Sequence, residues 1–133
     1  MAGREWQHPT MGSGPGFSRA LEAPKGRHIY FAGQAPNNDS GATVEGGILE
    51  QAGACFGKLK ALVEAAGGTM ADFVMLNIYV TDPKYLQETA ALRKQYFPDP
   101  PYPPASGFAV LSLANPDWLI EVDGVAVIPD DSP

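Results

Sequence analysis

The apolar residues of this chain fall into runs of two periods. Phe73 to Thr81 alternates strictly, with Val74, Leu76, Ile78 and Val80 on one side and Phe73, Met75, Asn77, Tyr79 and Thr81 on the other. That is the period-two pattern of a strand, built from β-branched and aromatic residues. Upstream the period changes. Ile48, Ala52, Cys55, Phe56, Leu59, Leu62, Val63 and Ala66 recur at spacings of three and four, which predicts an amphipathic helix. Thr43 is placed as its N-cap, and Gly67-Gly68 as its exit, because glycine adopts the left-handed conformation without a Cβ clash. A second helix is predicted over Lys84 to Phe97, opened by Asp82-Pro83, with Tyr85, Thr89, Leu92 and Tyr96 on one stripe. Two short strands, Phe17 to Leu21 and His28 to Gly33, are expected to form a hairpin through the turn at Pro24 to Arg27. Gly107 to Leu113 and Trp118 to Ile128 read as the final strands, the last stopped by Pro129.

The resulting order, ββαβαββ, is an α+β layout, a mixed sheet with two helices packed on one face. The aliphatic side of the Phe73 to Thr81 strand should meet the helices. Its other side is too apolar for water yet carries polar groups, so it is expected to be covered by another subunit. Five prolines between Pro98 and Pro104 forbid ladder bonding and hold that connection stiff. Their Pro-x-x-Pro spacing reads either as a ligand for a proline-binding groove or as a loop that closes a pocket.

At 133 residues and 44% apolar composition, one domain is expected over residues 16 to 129, with a Gly-rich leader at 1–15 and an acidic tail at 130–133. The net charge of −6 repels polyanions, so nucleic acid is not an expected partner. The single cysteine, Cys55, excludes an internal disulfide and falls on the apolar stripe of the first helix, as a buried hydrophobe does. No window has the length and freedom from charge of a membrane span or signal peptide, which points to a cytoplasmic protein with no membrane partner. His8 and His28 lack partners at metal-ligand spacing, so neither a metal nor a cofactor is expected. Gly12-Ser13-Gly14-Pro15-Gly16 lacks the Gly-Lys-Ser/Thr ending of a phosphate loop.

Several segments in fixed order carry a more specific signal. These are Gly16-Phe17-Ser18-Arg19-Ala20, Phe31-Ala32-Gly33-Gln34, and Gly46-Gly47-Ile48 with Gln51. They continue with Leu59-Lys60-Ala61-Leu62 to Ala65-Ala66-Gly67, Asn77-Ile78-Tyr79-Val80-Thr81-Asp82, Pro104-Ala105-Ser106 and Ile120-Glu121-Val122. Over residues 16 to 128 the chain resembles the Rid family, also called YjgF-like and often labelled endoribonuclease L-PSP. The resemblance implies a chorismate-mutase-like fold, a homotrimer, and pockets between subunits that hydrolyse enamines or imines released by pyridoxal-phosphate enzymes.

Carried across residue by residue, the resemblance implies a pocket lined by Phe17, Ala32, Gly33, Ala90, Ser106 and Phe108, with Tyr102 and Trp118 beside it. Glu121 matches the family's glutamate in the last strand, which orients water or moves a proton. The usual tyrosine, serine and asparagine are replaced at Phe17, Ala32 and Ala90. The arginine that grips a substrate carboxylate falls at Ser106, or at Ala105 if the loop is one residue longer, so the resemblance implies no guanidinium in either register and a neutral or larger, more apolar ligand. Arg93 on the second helix and Arg19 after the first strand are candidate substitute cations, although both also read as solvated surface residues. The chemistry implied is enamine or imine hydrolysis, or a related tautomerisation, cyclisation or condensation. The alternative is a small-molecule binder without turnover. Ribonuclease action is disfavoured by the acidic charge and the lack of a basic groove.

Overall fold

The computed structural model describes Ser13, Gly14 and residues 17–130. The rest of the expected leader, with His8 and most of the Gly12 to Gly16 stretch, lies outside the described residues, as do 131–133 of the acidic tail.

The chain order is β1 (Ser13–Gly14), β2 (Phe17–Ser18), β3 (Gly26–Gln34), α1 (Ile48–Ala65), a single 3-10 turn at Met70–Asp72 and β4 (Phe73–Val80). It continues with α2 (Lys84–Glu88), α3 (Ala90–Tyr96), β5 (Ala105–Ala109) and β6 (Ile120–Pro129). Four strands form one mixed sheet in the order β3-β6-β4-β5. Only β4 and β5 run parallel, and parallel neighbours need a crossover, which α2 and α3 supply. This is the α+β arrangement expected. The core lies between α1 and one sheet face, where Ala52, Cys55, Phe56, Leu59 and Val63 meet Leu76, Ile78, Val80, Ile120 and Val122.

Where local expectation and structure differ, tertiary bonding explains most of it. The expected hairpin with β3 does not form. Phe17–Ser18 pairs with Ser13–Gly14 instead, and Ser18 is drawn to the proline-rich connection. Its amide donates to Pro103 O at 3.4 Å, its hydroxyl donates to Tyr102 O, and it bridges Pro104. Helix α1 starts at Ile48, not near Thr43, because Gly46 (φ +111°) and Gly47 do not propagate a helix. The Glu50 carboxylate accepts the Gly47 amide at 2.8 Å and closes the first turn, while Thr43 bridges Asn37. Leu62 falls off the buried stripe and is 45% exposed. At the other end Gly67 takes φ +95°, the left-handed exit expected.

On β4 the alternation slips. Phe73 opposes Ala126 and Met75 opposes Val125, so Val74 is an extra residue and Phe73 joins Leu76, Ile78 and Val80 in the core. The predicted second helix is broken at Thr89, whose buried hydroxyl donates to Tyr85 O at 2.7 Å and competes with the helix's own bonding. Its opening is capped as expected, with the Asp82 carboxylate accepting the Lys84 amide at 3.0 Å. Strand β5 begins two residues before the expected Gly107 and stops at Ala109, since its pairing follows β4 from Leu76 to Val80.

Candidate functional site

Two regions hold the residues that the sequence singled out. The first is a cleft of about 510 Å³ between β5 and helices α2 and α3, closed above by Phe17 and Tyr102. Its apolar wall comes from Leu76, Ile78, Leu86 and Phe97; its polar groups are Arg93, Lys94, Tyr102 and Ser106. Leu86 of α2 packs directly against Gly107 of β5, where a Cβ would lie 2.8 Å from Leu86 Cδ2 and oblige that side chain to shift. The Ser18 contacts described above hold Phe17 beside Tyr102, and Leu76 N donates to Pro104 O at 2.9 Å, so the stiff connection is tied to both ends of the cleft.

Arg93 is the charged centre of this region. Being half-buried on α3, it donates from Nη1 to Thr89 Oγ1 at 2.7 Å, and Thr89 itself is wholly buried. Burial lowers the guanidinium pKa from its ordinary value, since desolvation disfavours the charged form. The group nonetheless remains protonated at neutral pH, because an arginine starts from so high a value. The reading of Arg93 as merely a solvated surface residue is therefore corrected: it is half-buried, bonded to Thr89 one turn back, and lines the cleft. Arg19 is exposed and does not line the cleft.

The second region lies on the sheet face away from α1. Glu121 opposes Tyr79 in the β6–β4 register, and Tyr79 opposes Phe108 in the β4–β5 register. The Tyr79 and Phe108 rings stack at 5.5 Å. One step along, Asp123 opposes Asn77 and accepts from Asn77 Nδ2 and from Tyr79 OH, each at 2.9 Å. Desolvation, the Asp123 bond and the two nearby carboxylates together raise the Tyr79 pKa, so the phenol stays protonated. Gly33 lies directly against Glu121. A Cβ at residue 33 would fall 1.9 Å from Glu121 Oε2, so only glycine permits this approach. The bulge in β3 between Phe31 and Gln34 sets that position, and Ala32 beside it is exposed.

The residues expected to share one pocket are thus divided within a single chain. Phe17, Ala90, Tyr102 and Ser106 line the cleft; Gly33, Glu121 and Phe108 belong to the open sheet face, with exposed Ala32 next to Gly33. Ser106 stands at the seam, because it lines the cleft and its register partner is Asn77. Trp118 is in neither group. It is half-buried in the turn before β6, and its Nε1 is buried without a hydrogen-bond partner among the described residues.

Sequence reasoning missed several contributors, four of them telling. Lys94 and Leu86 line the cleft, Thr89 tethers Arg93, and buried Gln51 sets the start of β6. Gln51 Nε2 donates to Asp117 O at 3.0 Å and its Oε1 accepts the Leu119 amide at 2.7 Å, two residues before Glu121. The spacing of four between Thr89 and Arg93 was a usable signal. The Gln51 contact spans 66 and 68 residues of sequence, and nothing local announces it.

Among the described residues no group of three or more His, Cys, Asp or Glu is placed to hold a metal ion, and no helix is long and apolar enough to cross a membrane.

Comparison with known proteins agrees with this architecture. The Endoribonuclease L-PSP family model matches residues 11–128. A RutC family protein of Pyrococcus horikoshii is 30% identical over 111 residues, covering 83% of this chain and 85% of that one. A protein of Dermatophagoides farinae named 2-iminobutanoate/2-iminopropanoate deaminase is 30% identical over 113 residues, covering 84% of this chain and 85% of its own. Among solved structures, YyfB of Yersinia pestis, described as a Rid family protein of unknown function, superposes with a TM-score of 0.84 at 32% identity, covering 96% of this chain and all of that one. With the sheet order, the Gly33–Glu121 juxtaposition and these matches in agreement, the chain belongs to the Rid/YjgF family, the endoribonuclease L-PSP proteins.

Proposed function

We propose that this protein is an enzyme that acts on a small, labile enamine or imine, with Glu121 moving the proton. The observation that carries this reading is the seating of the Glu121 carboxylate against the Gly33 backbone, a contact that any side chain at position 33 would obstruct. An imine carbon is already electrophilic, so the work required is orientation, water placement and proton transfer. Glu121 accepts a proton from water as the oxygen bonds to the imine carbon. The nitrogen takes up that proton to give a neutral carbinolamine; Glu121 then carries the hydroxyl proton to the nitrogen, and the C–N bond breaks as the C=O bond forms, releasing ammonia and a carbonyl product. An enamine is first protonated on carbon to reach the same imine. The same carboxylate serves a tautomerisation when no water is added.

The split of the site supports completion by a second copy. The open face carries Tyr30 at 75% and Phe108 at 44% exposure beside Met75, Tyr79 and Val125, an apolar surface of the kind that association buries. In the proposed homotrimer the Glu121 face of one subunit closes over the cleft of the next. Light scattering should give three times the chain mass; a monomer mass overturns the shared pocket.

The catalytic test is keto-acid release from 2-aminoacrylate generated by a serine dehydratase. Acceleration that falls at least a hundredfold in Glu121→Gln supports the reading. Saturable ligand binding with no acceleration over the uncatalysed rate overturns it in favour of a binder without turnover.

A further inference from the structure

We infer that the carboxylate-holding cation of this site has moved from the strand to the helix: Arg93, tethered by Thr89 and seconded by Lys94, grips an anionic ligand in the cleft beneath Phe17 and Tyr102. This assignment rests on the cleft being the ligand half of the site proposed above.

The chain carries a net charge of −6, with 15 acidic and 9 basic side chains, so a patch chosen at random should include carboxylates. Among the described residues, the cleft lining includes Arg93 and Lys94 and no Asp or Glu. Two cations without a counter-ion around one cavity form a local positive site on an acidic protein, and low-dielectric walls strengthen its field.

Geometry then separates the two cations. Lys94 is exposed and contributes mainly long-range attraction. Arg93 is half-buried and one corner of its fork is occupied by Thr89 Oγ1 at 2.7 Å, so much of its side-chain freedom is already lost. The other nitrogens have no hydrogen-bond partner among the described residues, although none is fully buried, as expected of donors that open into the cleft. A planar fork held at one corner presents parallel donors to a carboxylate. Ser106, Tyr102 and the Leu76, Ile78, Leu86 and Phe97 wall leave room for an apolar body behind the anionic head. The ligand class is therefore a small carboxylate with an apolar or aromatic body. The loss of arginine at position 106 reads as relocation of the grip, which reverses the neutral ligand expected from Ser106 alone.

Isothermal titration with phenylacetate and its neutral isostere phenylacetamide tests the assignment without any turnover. The full-length protein should bind phenylacetate at millimolar concentration or below and prefer it to the amide by about tenfold. Arg93→Gln should remove that preference, leaving phenylacetamide affinity within about twofold. Arg93→Lys should fall between them, since it keeps the charge and loses the fork. Equal binding of acid and amide by the unmodified protein overturns the proposal even where a variant fails to fold, as does absence of phenylacetate binding. Unchanged preference in folded Arg93→Gln overturns it too. Failure of the imine reading has a different signature: no turnover, with the phenylacetate preference and its Arg93 dependence intact.

Discussion

The cleft at Arg93 and the open face at Glu121 are built by different physical means. Strand register makes the Glu121 face. Once β6 pairs with β4, Glu121 must sit beside Tyr79 and Asp123 beside Asn77, because a one-residue slip would drive Ile120 and Val122 out of the core. The cleft owes nothing to one register. Its walls come from β2, β4, β5, both short helices and the proline-rich connection, and its cation is held by a hydrogen bond to Thr89 one helical turn back. The carboxylate is consequently a rigid element, whereas the grip is a tertiary assembly free to change its residues while the fold stays the same.

If the regions divide the work, substitutions should separate rate from binding. The largest effect belongs to Glu121→Gln, with turnover of a 2-imino substrate down by about 10²–10⁴ and phenylacetate affinity nearly unchanged. Equal loss of both would merge the two regions into one site. Next comes Gly33→Ala, whose Cβ would collide with Glu121 Oε2 at 1.9 Å. The carboxylate must swing aside, and kcat should fall about tenfold with Tm almost constant, since residue 33 is exposed.

Gln51→Ala probes the support beneath Glu121. It leaves the Leu119 amide and the Asp117 carbonyl without their partner, and urea titration should show a loss of about 2 kcal/mol. A loss within error would mean that β6 holds its entry turn unaided. The smallest effect comes from Cys55, beneath both regions. Burial, the largest cause, pushes its thiol up to about 12 from 9.0. Above pH 9 the unfolded chain releases this proton while the native chain keeps it, so stability falls as pH rises. About 1 kcal/mol should be lost between pH 9 and 10, and the Cys55→Ala variant should lack that part of the slope. Native protein should likewise resist alkylation of Cys55 until unfolded.

Much of the fold was legible because its elements declare themselves locally. The spacing from Ile48 to Val63 becomes the buried stripe of α1, and Gly67 ends it as a left-handed residue should. Leu62 shows the limit, since a position on the edge of the stripe is decided by what packs opposite it. Phe73 shows another, for a bulge that moves one side chain to the other face leaves no trace in alternation. The site was legible in its residue types and not in its grouping. Phe17, Tyr102 and Ser106 were identified singly, yet their nearness depends on hydrogen bonds from Ser18 to a segment more than 80 residues away.

What the sequence determined alone is the strands of the main sheet and the first helix, their order, and the carboxylate whose neighbours follow from strand pairing. Periodicity encodes these, because each side chain's face is set by φ and ψ within a few residues. What only the tertiary structure decided is which cation enters the cleft. Arg93 and Arg19 are alike on paper. A buried threonine hydroxyl that bonds back to Tyr85 breaks one helix and holds Arg93 at the cavity, while Arg19 stays exposed beyond it. Burial makes that distinction, since the hydrogen bonds themselves are local to the helix, and burial exists only once the chain has folded.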